Sequence, residues 1–157
     1  MAKPVRKAVR TFLIYDNKVI IIKYLQGMNC GYYDIPGGKI ENNESNYEAS
    51  FREFKEETGL EILNQKLVGN VIVEYPEMIF DFDIFIANEY KGSLENFSEN
   101  ESMWFEINSL ISQKKIFPSI ELLKEDYMKY LKHGNFKIKL IVDNEHNILD
   151  KEICIIN

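Results

Sequence analysis

Residues 37–60 read GGKIENNESNYEASFREFKEETGL, and this stretch decides the fold. Ser45 and Glu48 form an S-x-x-E capping box and Gly59 supplies a stop, so the spacing predicts a helix over 45–58. At about 100° per residue, Tyr47, Phe51, Phe54 and Thr58 share one narrow stripe, the face expected to pack on a sheet. Glu53, Glu56 and Glu57 fall at i, i+3 and i+4 on a different face. Three carboxylates that close repel one another, and hard divalent cations such as Mg²⁺ or Mn²⁺ take such oxygens as ligands. The cluster therefore reads as a metal site with phosphate as co-ligand. Taken without its surroundings, it reads more readily as a solvated acidic helix face.

Working outward, residues 6–15 and 18–25 are β-branched and aromatic and meet at Asp16-Asn17, the pattern of a hairpin. Residues 26–38 form a Gly-rich loop with a short strand inside it. Strands are expected at 66–75 and 78–88 around Pro76-Glu77, and a polar loop over 89–102. A short helix is expected near 108–114. Pro118 then opens a longer helix that ends at Gly134. The tail, 136–156, predicts a second hairpin turning between Asp143 and Asn147. It is expected to add strands to the sheet or to pair with a second chain in a homodimer. This order predicts a single α+β domain over 1–157, with a mixed sheet, helices packed on it and a C-terminal hairpin extension.

Composition narrows the function classes. The 157 residues are 45% hydrophobic and 28% charged, which excludes disordered, collagenous and disulfide-scaffold proteins. A net charge of −6 disfavours nucleic acid as a partner, which needs a cationic field. Charge is nonetheless uneven, since Arg6, Lys7 and Arg10 make the opening basic. Cys30 and Cys154 are expected to be reduced thiols, too few for a zinc cluster. The first apolar run is broken by Asp16, Asn17 and Lys18, and no apolar stretch reaches a membrane span. A cytoplasmic protein with no membrane partner is expected.

The frame around the glutamates adds specificity. Gly38, five residues, Glu44, seven residues, then Arg52-Glu53-Phe54-Lys55-Glu56-Glu57-Thr58-Gly59-Leu60 resembles the signature of the Nudix hydrolase family. All seven fixed residues of that signature match, a coincidence on the order of 10⁻⁹ at a given start. Phe54 departs from it, standing where the family has an aliphatic residue. The resemblance, of the MutT-like kind, implies an α/β/α sandwich and hydrolysis of a nucleoside diphosphate linked to another moiety. It implies Glu53, Glu56 and Glu57 as ligands of Mg²⁺ or Mn²⁺, the Gly38 region contributing a backbone carbonyl. It also implies that Arg52 orients the glutamates and that Lys39 meets a phosphate. Glu44 is expected either to orient Arg52, to contact the metal through water, or to serve the loop. In MutT-type relatives a loop glutamate before the Trp strand acts as base or extra ligand; Glu99 matches best, with Glu95 and Glu101 as rivals. In other branches Glu53 or Glu56 is the base.

What the diphosphate is attached to is read from aromatic residues that could grip a base. Tyr24, Tyr32, Tyr33, Phe80, Phe82 and Phe117 are the candidates, of which Tyr33, Phe82 and Phe117 are the expected contacts. Phe117-Pro118 resembles a pair in enzymes acting on oxidised guanine nucleotides, but Ser119-Ile120-Glu121 lacks the Asn that follows it there. Pro76, sixteen residues after Leu60, resembles a feature of ADP-ribose-cleaving relatives and also suits a simple turn. The expected activity is pyrophosphohydrolysis of a nucleoside triphosphate, ordinary or oxidised, to the monophosphate and pyrophosphate. Cleavage of ADP-ribose or another nucleotide sugar is the alternative. A nucleotide-binding module without catalysis is a third reading.

Overall fold

The computed structural model describes residues 2–156. Strand β1 (Val5–Tyr15) and β2 (Lys18–Tyr24) form the first hairpin. Asp16 and Asn17 take φ of 52° and 60°, the left-handed pair that a two-residue hairpin turn requires. The chain continues through β3 (Tyr33–Asp34), β4 (Gly37–Lys39), α1 (Asn46–Thr58), β5 (Glu61–Ile62), β6 (Lys66–Glu74) and β7 (Ile79–Ala87). After β8 (Tyr90–Lys91) come β9 (Asn100–Glu106), α2 (Ser109–Ser112), α3 (Pro118–Glu121), α4 (Lys124–Tyr130), β10 (Phe136–Val142) and β11 (Ile148–Ile155).

The main sheet is mixed, in the order β11-β10-β6-β7-β1-β2-β3, with β4 on β1 and β9 on β2. Strand β1 organises it. One edge runs parallel to β7 from Val5 to Leu13, while the other pairs with β4 at Ala8–Arg10 and with β2 at Ile14–Tyr15. The split leaves β4 free to pack against α1. Both faces of β1 are covered, which is why it reads as a continuous apolar run. Ala8 and Phe12 face the core that contains Ile120, Leu123 and Tyr127 of the α3–α4 region. Val9 packs with Ala49 and Phe85, Leu13 packs with Phe54, and Thr11 Oγ1 lies 2.7 Å from Ser50 Oγ of α1. The layers are thus helix, sheet, helix, as the sequence predicts.

Helix α1 carries the predicted capping box. Ser45 Oγ accepts from the Glu48 N–H at 3.1 Å and Glu48 Oε1 accepts from the Ser45 N–H at 3.2 Å. Gly59 closes the helix at φ +81°. The packing face differs from the predicted stripe. Phe54 and Thr58 are buried, but Tyr47 and Phe51 remain 45% and 36% exposed, and Ala49 and Ser50 take their place against the sheet. The helix is turned so that Glu53 and Glu57 flank the buried line and reach β4.

Two other expectations are corrected. Residues 89–102 are not all loop: Tyr90–Lys91 pairs with β5, and β9 begins at Asn100 against β2. The helix predicted from Pro118 to Gly134 is divided into α3 and α4. Leu123 N–H bonds to Ile120 O, one residue tighter than an α-turn, and Leu123 takes φ −123°. The tightened turn keeps Ile120, Leu123, Tyr127 and Leu131 all buried. The C-terminal hairpin forms and joins the sheet, β10 running parallel to β6. Its Phe136, Ile138, Leu140 and Val142 are buried while Lys137 and Lys139 are exposed, a period of two. β11 is a fully exposed edge with Asp150, Lys151 and Glu152 at its centre, charges that discourage edge-to-edge association. Among the described residues, no helix is long and apolar enough to cross a membrane.

Candidate active site

Three contiguous depressions run along one side of the molecule. The first has a volume of about 390 Å³ and is lined by Glu53, Glu56, Glu57, Glu99, Asn100 and Tyr24. Helix α1 supplies the first three carboxylates. Asn100 brings in the fourth: its Nδ2 donates to Glu57 O at 2.7 Å and pins the start of β9 to the end of α1. The Leu25 N–H donates to Glu99 O at 2.9 Å, fixing that loop from the other side.

Arg52 organises the acidic group. Its Nε and Nη2 form a fork onto Glu44 at 2.6 and 2.9 Å, and Nη2 also donates to Lys39 O at 3.1 Å. Its Nη1 donates to Glu53 at 2.9 Å and to Glu56 at 3.3 Å. The hydrogen bond from Arg52 holds the Glu44 carboxyl down to about 2. Glu44 therefore orients Arg52, one of the alternatives its position in the sequence left open.

Two carboxylates here are electrostatically uncomfortable. Desolvation pushes Glu53 up despite the hydrogen bond from Arg52. Desolvation also pushes Glu57 well above the usual range; the Gly37 N–H, donating at 2.8 Å, opposes this, while Asp34 and Glu53 add to it. Carboxylate oxygens kept at such a desolvation cost are hard donors, and their chemistry fits a divalent cation such as Mg²⁺ or Mn²⁺. As placed, no three His, Cys, Asp or Glu side chains among the described residues converge to hold one ion. Arg52 stands between Glu53 and Glu56, and Gly37 holds Glu57 to one side.

Gly38 makes the close approach possible. A Cβ there would fall 2.4–2.6 Å from the carboxylate atoms of Glu53. Gly38 thus lies against a predicted ligand, its main chain within reach of the same group.

The second depression, about 190 Å³, is cationic and is lined by Arg6, Arg10, Lys39, Gly37, Gly38 and Asp34. It shares Tyr24 with the carboxylate chamber and Phe80, Phe82 and Phe117 with the third depression. The third, about 410 Å³, is walled by Asn29, Tyr75, Phe80, Phe82, Phe117 and His146, among others. Phe80 and Phe82 stack at 5.9 Å and 6°.

Of the predicted contacts, Lys39, Phe82 and Phe117 line this trough, and Glu99 lines the carboxylate chamber. Glu101 lies on β9 opposite Lys23, and Glu95 packs against Gly59, so neither rival lines the chamber. Tyr33 is a correction. It sits on β3, its ring packs on Phe105 at 5.3 Å, and it lines none of the three depressions. Its β3 register turns the ring toward the core, which the loop-like sequence around it gave no means of predicting.

The residue that sequence reasoning placed only in a basic opening is Arg10. It is buried, its Nη1 bonded to Asp34 Oδ1 and to Ile35 O at 3.0 Å, its Nη2 to Ser119 Oγ at 3.2 Å. Burial, the largest influence, works to lower its pKa, but the charge and hydrogen bond of Asp34 together with Tyr24 and Tyr127 more than offset it, and the guanidinium stays protonated. It lies 4.8 Å over the Phe82 ring and 5.6 Å over Phe117. Tyr24 donates to the other oxygen of Asp34 at 2.6 Å. The signal was present: a charged residue inside the apolar run of β1.

Comparison with known proteins agrees with this architecture. The NUDIX domain family model matches residues 4–126. An 8-oxo-dGTP diphosphatase of Proteus vulgaris is 30% identical over 80 residues, 51% of this chain and 71% of that protein. An ADP-ribose pyrophosphatase of Methanocaldococcus jannaschii is 31% identical over 132 residues, 78% of this chain and 73% of that one. The crystal structure of a mutator MutT protein from Bacillus halodurans superposes with a TM-score of 0.77 at 18% identity, covering 94% of this chain and 97% of the other.

Proposed function

The chain belongs to the NUDIX domain family, and from that membership we propose that it is a divalent-metal-dependent hydrolase of phosphoric anhydride bonds. Its substrate is a nucleoside triphosphate, ordinary or oxidised, released as the monophosphate and pyrophosphate. The single observation that carries the reading is the order of the trough: carboxylates, then cations, then aromatic rings. That order matches metal, phosphate chain and base in one nucleotide.

Glu53, Glu56 and Glu57 would hold the cation, with Gly38 offering main chain beside Glu53. When bound, the cation polarises phosphoryl oxygens and makes water a better nucleophile. Lys39 and Arg6 balance the charge of the phosphate chain. Arg52 keeps Glu53 and Glu56 oriented. Glu99 accepts a proton from the attacking water as its oxygen bonds to phosphorus and the anhydride oxygen departs with pyrophosphate. Phe82 and Phe117 contact the base.

A second reading, cleavage of ADP-ribose or another nucleotide sugar, is favoured by the length of the match to the archaeal relative. Pro76 lends it no weight, because Pro76 lies in the β6–β7 turn closed by the Tyr75 N–H to Met78 O bond. A phosphate-release screen with Mg²⁺ separates the readings, using nucleoside triphosphates, ADP-ribose and other nucleotide sugars, with Glu56→Gln as blank. Pyrophosphate from a triphosphate, absent with Glu56→Gln, is the expected result. Turnover of ADP-ribose alone would replace the first reading with the second. Turnover of none of them would overturn both.

A further inference from the structure

We propose that the C-terminal hairpin is the base-reading element of the trough, and that Asn144 and His146 in its turn select a purine nucleobase. The inference rests on the nucleotide reading above. The hairpin lies beyond the family model, which ends at residue 126, yet β10 is inserted next to β6 and carries the turn to the aromatic cavity.

The turn is built to hold a shape. Asp143 Oδ1 accepts from the Glu145 and Asn147 N–H groups, both at 2.9 Å, and Asp143 Oδ2 accepts from Asn147 Nδ2 at 3.0 Å. His146 takes φ +65°, and its N–H donates to Asp143 O at 3.1 Å. The imidazole is then anchored across the cavity mouth. Tyr75 Oη lies 3.0 Å from His146 Nδ1, and the two rings meet edge-on at 5.6 Å. Tyr75 in turn abuts Phe80, edge-on at 5.9 Å. The hairpin thereby supplies part of the lining of the cavity that Phe117 also lines.

The lining explains the ligand class. The cavity of about 410 Å³ has room for a fused two-ring base, and against the aromatic lining of Phe80, Phe82, Phe117 and Tyr75 the larger π face gains more from stacking than a single ring does. The exposed Asn144 adds an amide that offers donor and acceptor together, the pattern that pairs with the edge of a purine. No other element brings a histidine to the trough: His133 lies after α4 beside Tyr130.

The test is calorimetric titration of AMP, GMP, CMP and UMP into the full chain, without metal, and into His146→Gly, Asn144→Ala and Tyr75→Phe. Glycine suits the positive φ at 146, so that variant removes the ring without straining the turn. The wild type should bind the purine nucleotides more tightly than the pyrimidine ones. His146→Gly and Asn144→Ala should each weaken purine binding by about tenfold, the equivalent of one lost hydrogen-bonding partner, and flatten the purine preference. Tyr75→Phe should flatten it by a smaller factor, since it frees the imidazole but leaves the rings. Wild-type affinity and preference in both turn variants would overturn the proposal, as would a wild type without purine preference. Preference that depends on the turn, in a protein that releases no phosphate from any substrate with Mg²⁺, would uphold the proposal and overturn the hydrolase reading alone.

Discussion

Adjacent glycines in the β4 segment should respond oppositely to alanine, and the contrast separates fold from chemistry. At Gly38, the atoms a Cβ would meet first are those of the Glu53 carboxylate, at 2.4–2.6 Å. Restoring an ordinary contact requires that carboxylate to retreat by about 1 Å, which a side chain can do. Gly38 does not have a positive φ, so alanine is compatible with its backbone. Stability should therefore stay within about 1 kcal/mol of wild type. Turnover should fall about 100-fold, the usual consequence of displacing a catalytic group by 1 Å. At Gly37 the obstacle is main chain: the Cβ would lie 1.9 Å from Val9 O and 2.9 Å from Val9 C. Neither can move without opening the β1–β4 pairing, in which Val9 faces Gly38 and Arg10 faces Gly37. Gly37→Ala should cost roughly 2–3 kcal/mol or more and lower Tm by on the order of 5–10 °C. Thermal denaturation followed by circular dichroism, alongside steady-state phosphate release, reads both effects. Full turnover in Gly38→Ala would refute the placement of Glu53 in the catalytic group. A wild-type Tm in Gly37→Ala would refute the close approach of β4 to β1.

Glu57→Gln should abolish turnover yet stabilise the metal-free protein. Its carboxyl is pushed up by burial, so the folded state favours the protonated form, and wild-type stability is lost as pH rises above the unfolded value of 4.5. In chelator, the variant should melt above wild type at about pH 8, with the gap closing toward pH 4; equal melting at both would count against the burial. Glu99→Gln should reduce turnover more than Glu101→Gln, because only Glu99 lines the carboxylate chamber; the reverse ranking of rates would move the role to Glu101. Phe54→Leu should lower Tm by only a few degrees, on the order of 1 kcal/mol, because Phe54 packs in an apolar cluster with Leu13, Ile20 and Leu60. A collapse of its turnover with the fold retained would show that the aromatic ring matters to the site.

The features legible in the sequence were those set by neighbours in the chain. A capping box, a left-handed Asp-Asn turn and a stop at Gly59 are local devices, and each formed where the residues indicated. The spacing of Gly38, Glu44, Arg52 and the glutamates was legible for the same reason: a helix fixes which side chains share a face. Glu99 was reachable because it lies near Trp104, a landmark in the chain. Tyr33 was misplaced because its ring direction depends on pairing between β2 and β3, at Lys23 and Tyr33, which composition does not record. The division of α3 from α4 was hidden too, since it follows from fitting four buried residues onto a sheet.

The most instructive failure is the orientation of α1. Its aromatic stripe predicted Tyr47, Phe51, Phe54 and Thr58 as the packing face, and the helix buries only the last two of these, rotated toward Ala49 and Ser50. Hydrophobic burial alone would favour covering Tyr47 and Phe51. Instead the orientation carries Glu53 and Glu57 to β4, where Gly37 supplies an N–H and Gly38 leaves room for a carboxylate. The aromatic rings are left half-exposed, with Tyr47 edge-on to Phe85 at 4.9 Å as partial compensation. Arg10 shows the same conflict on the opposite face of β1. A guanidinium with an unpartnered buried Nε is held in an apolar strand by Asp34 and by two aromatic rings. In both places local pattern and final packing disagree: on β1 the residue that breaks the pattern, Arg10, itself lines the trough, and on α1 the rotation that exposes Tyr47 and Phe51 brings Glu53 and Glu57 to it. Such disagreement is expected where a chain accepts poorer packing to hold charge in a cleft. On β1 the mismatch points to the site without reference to the glutamates, because Arg10 is the charged residue in an apolar strand and lines the cationic depression.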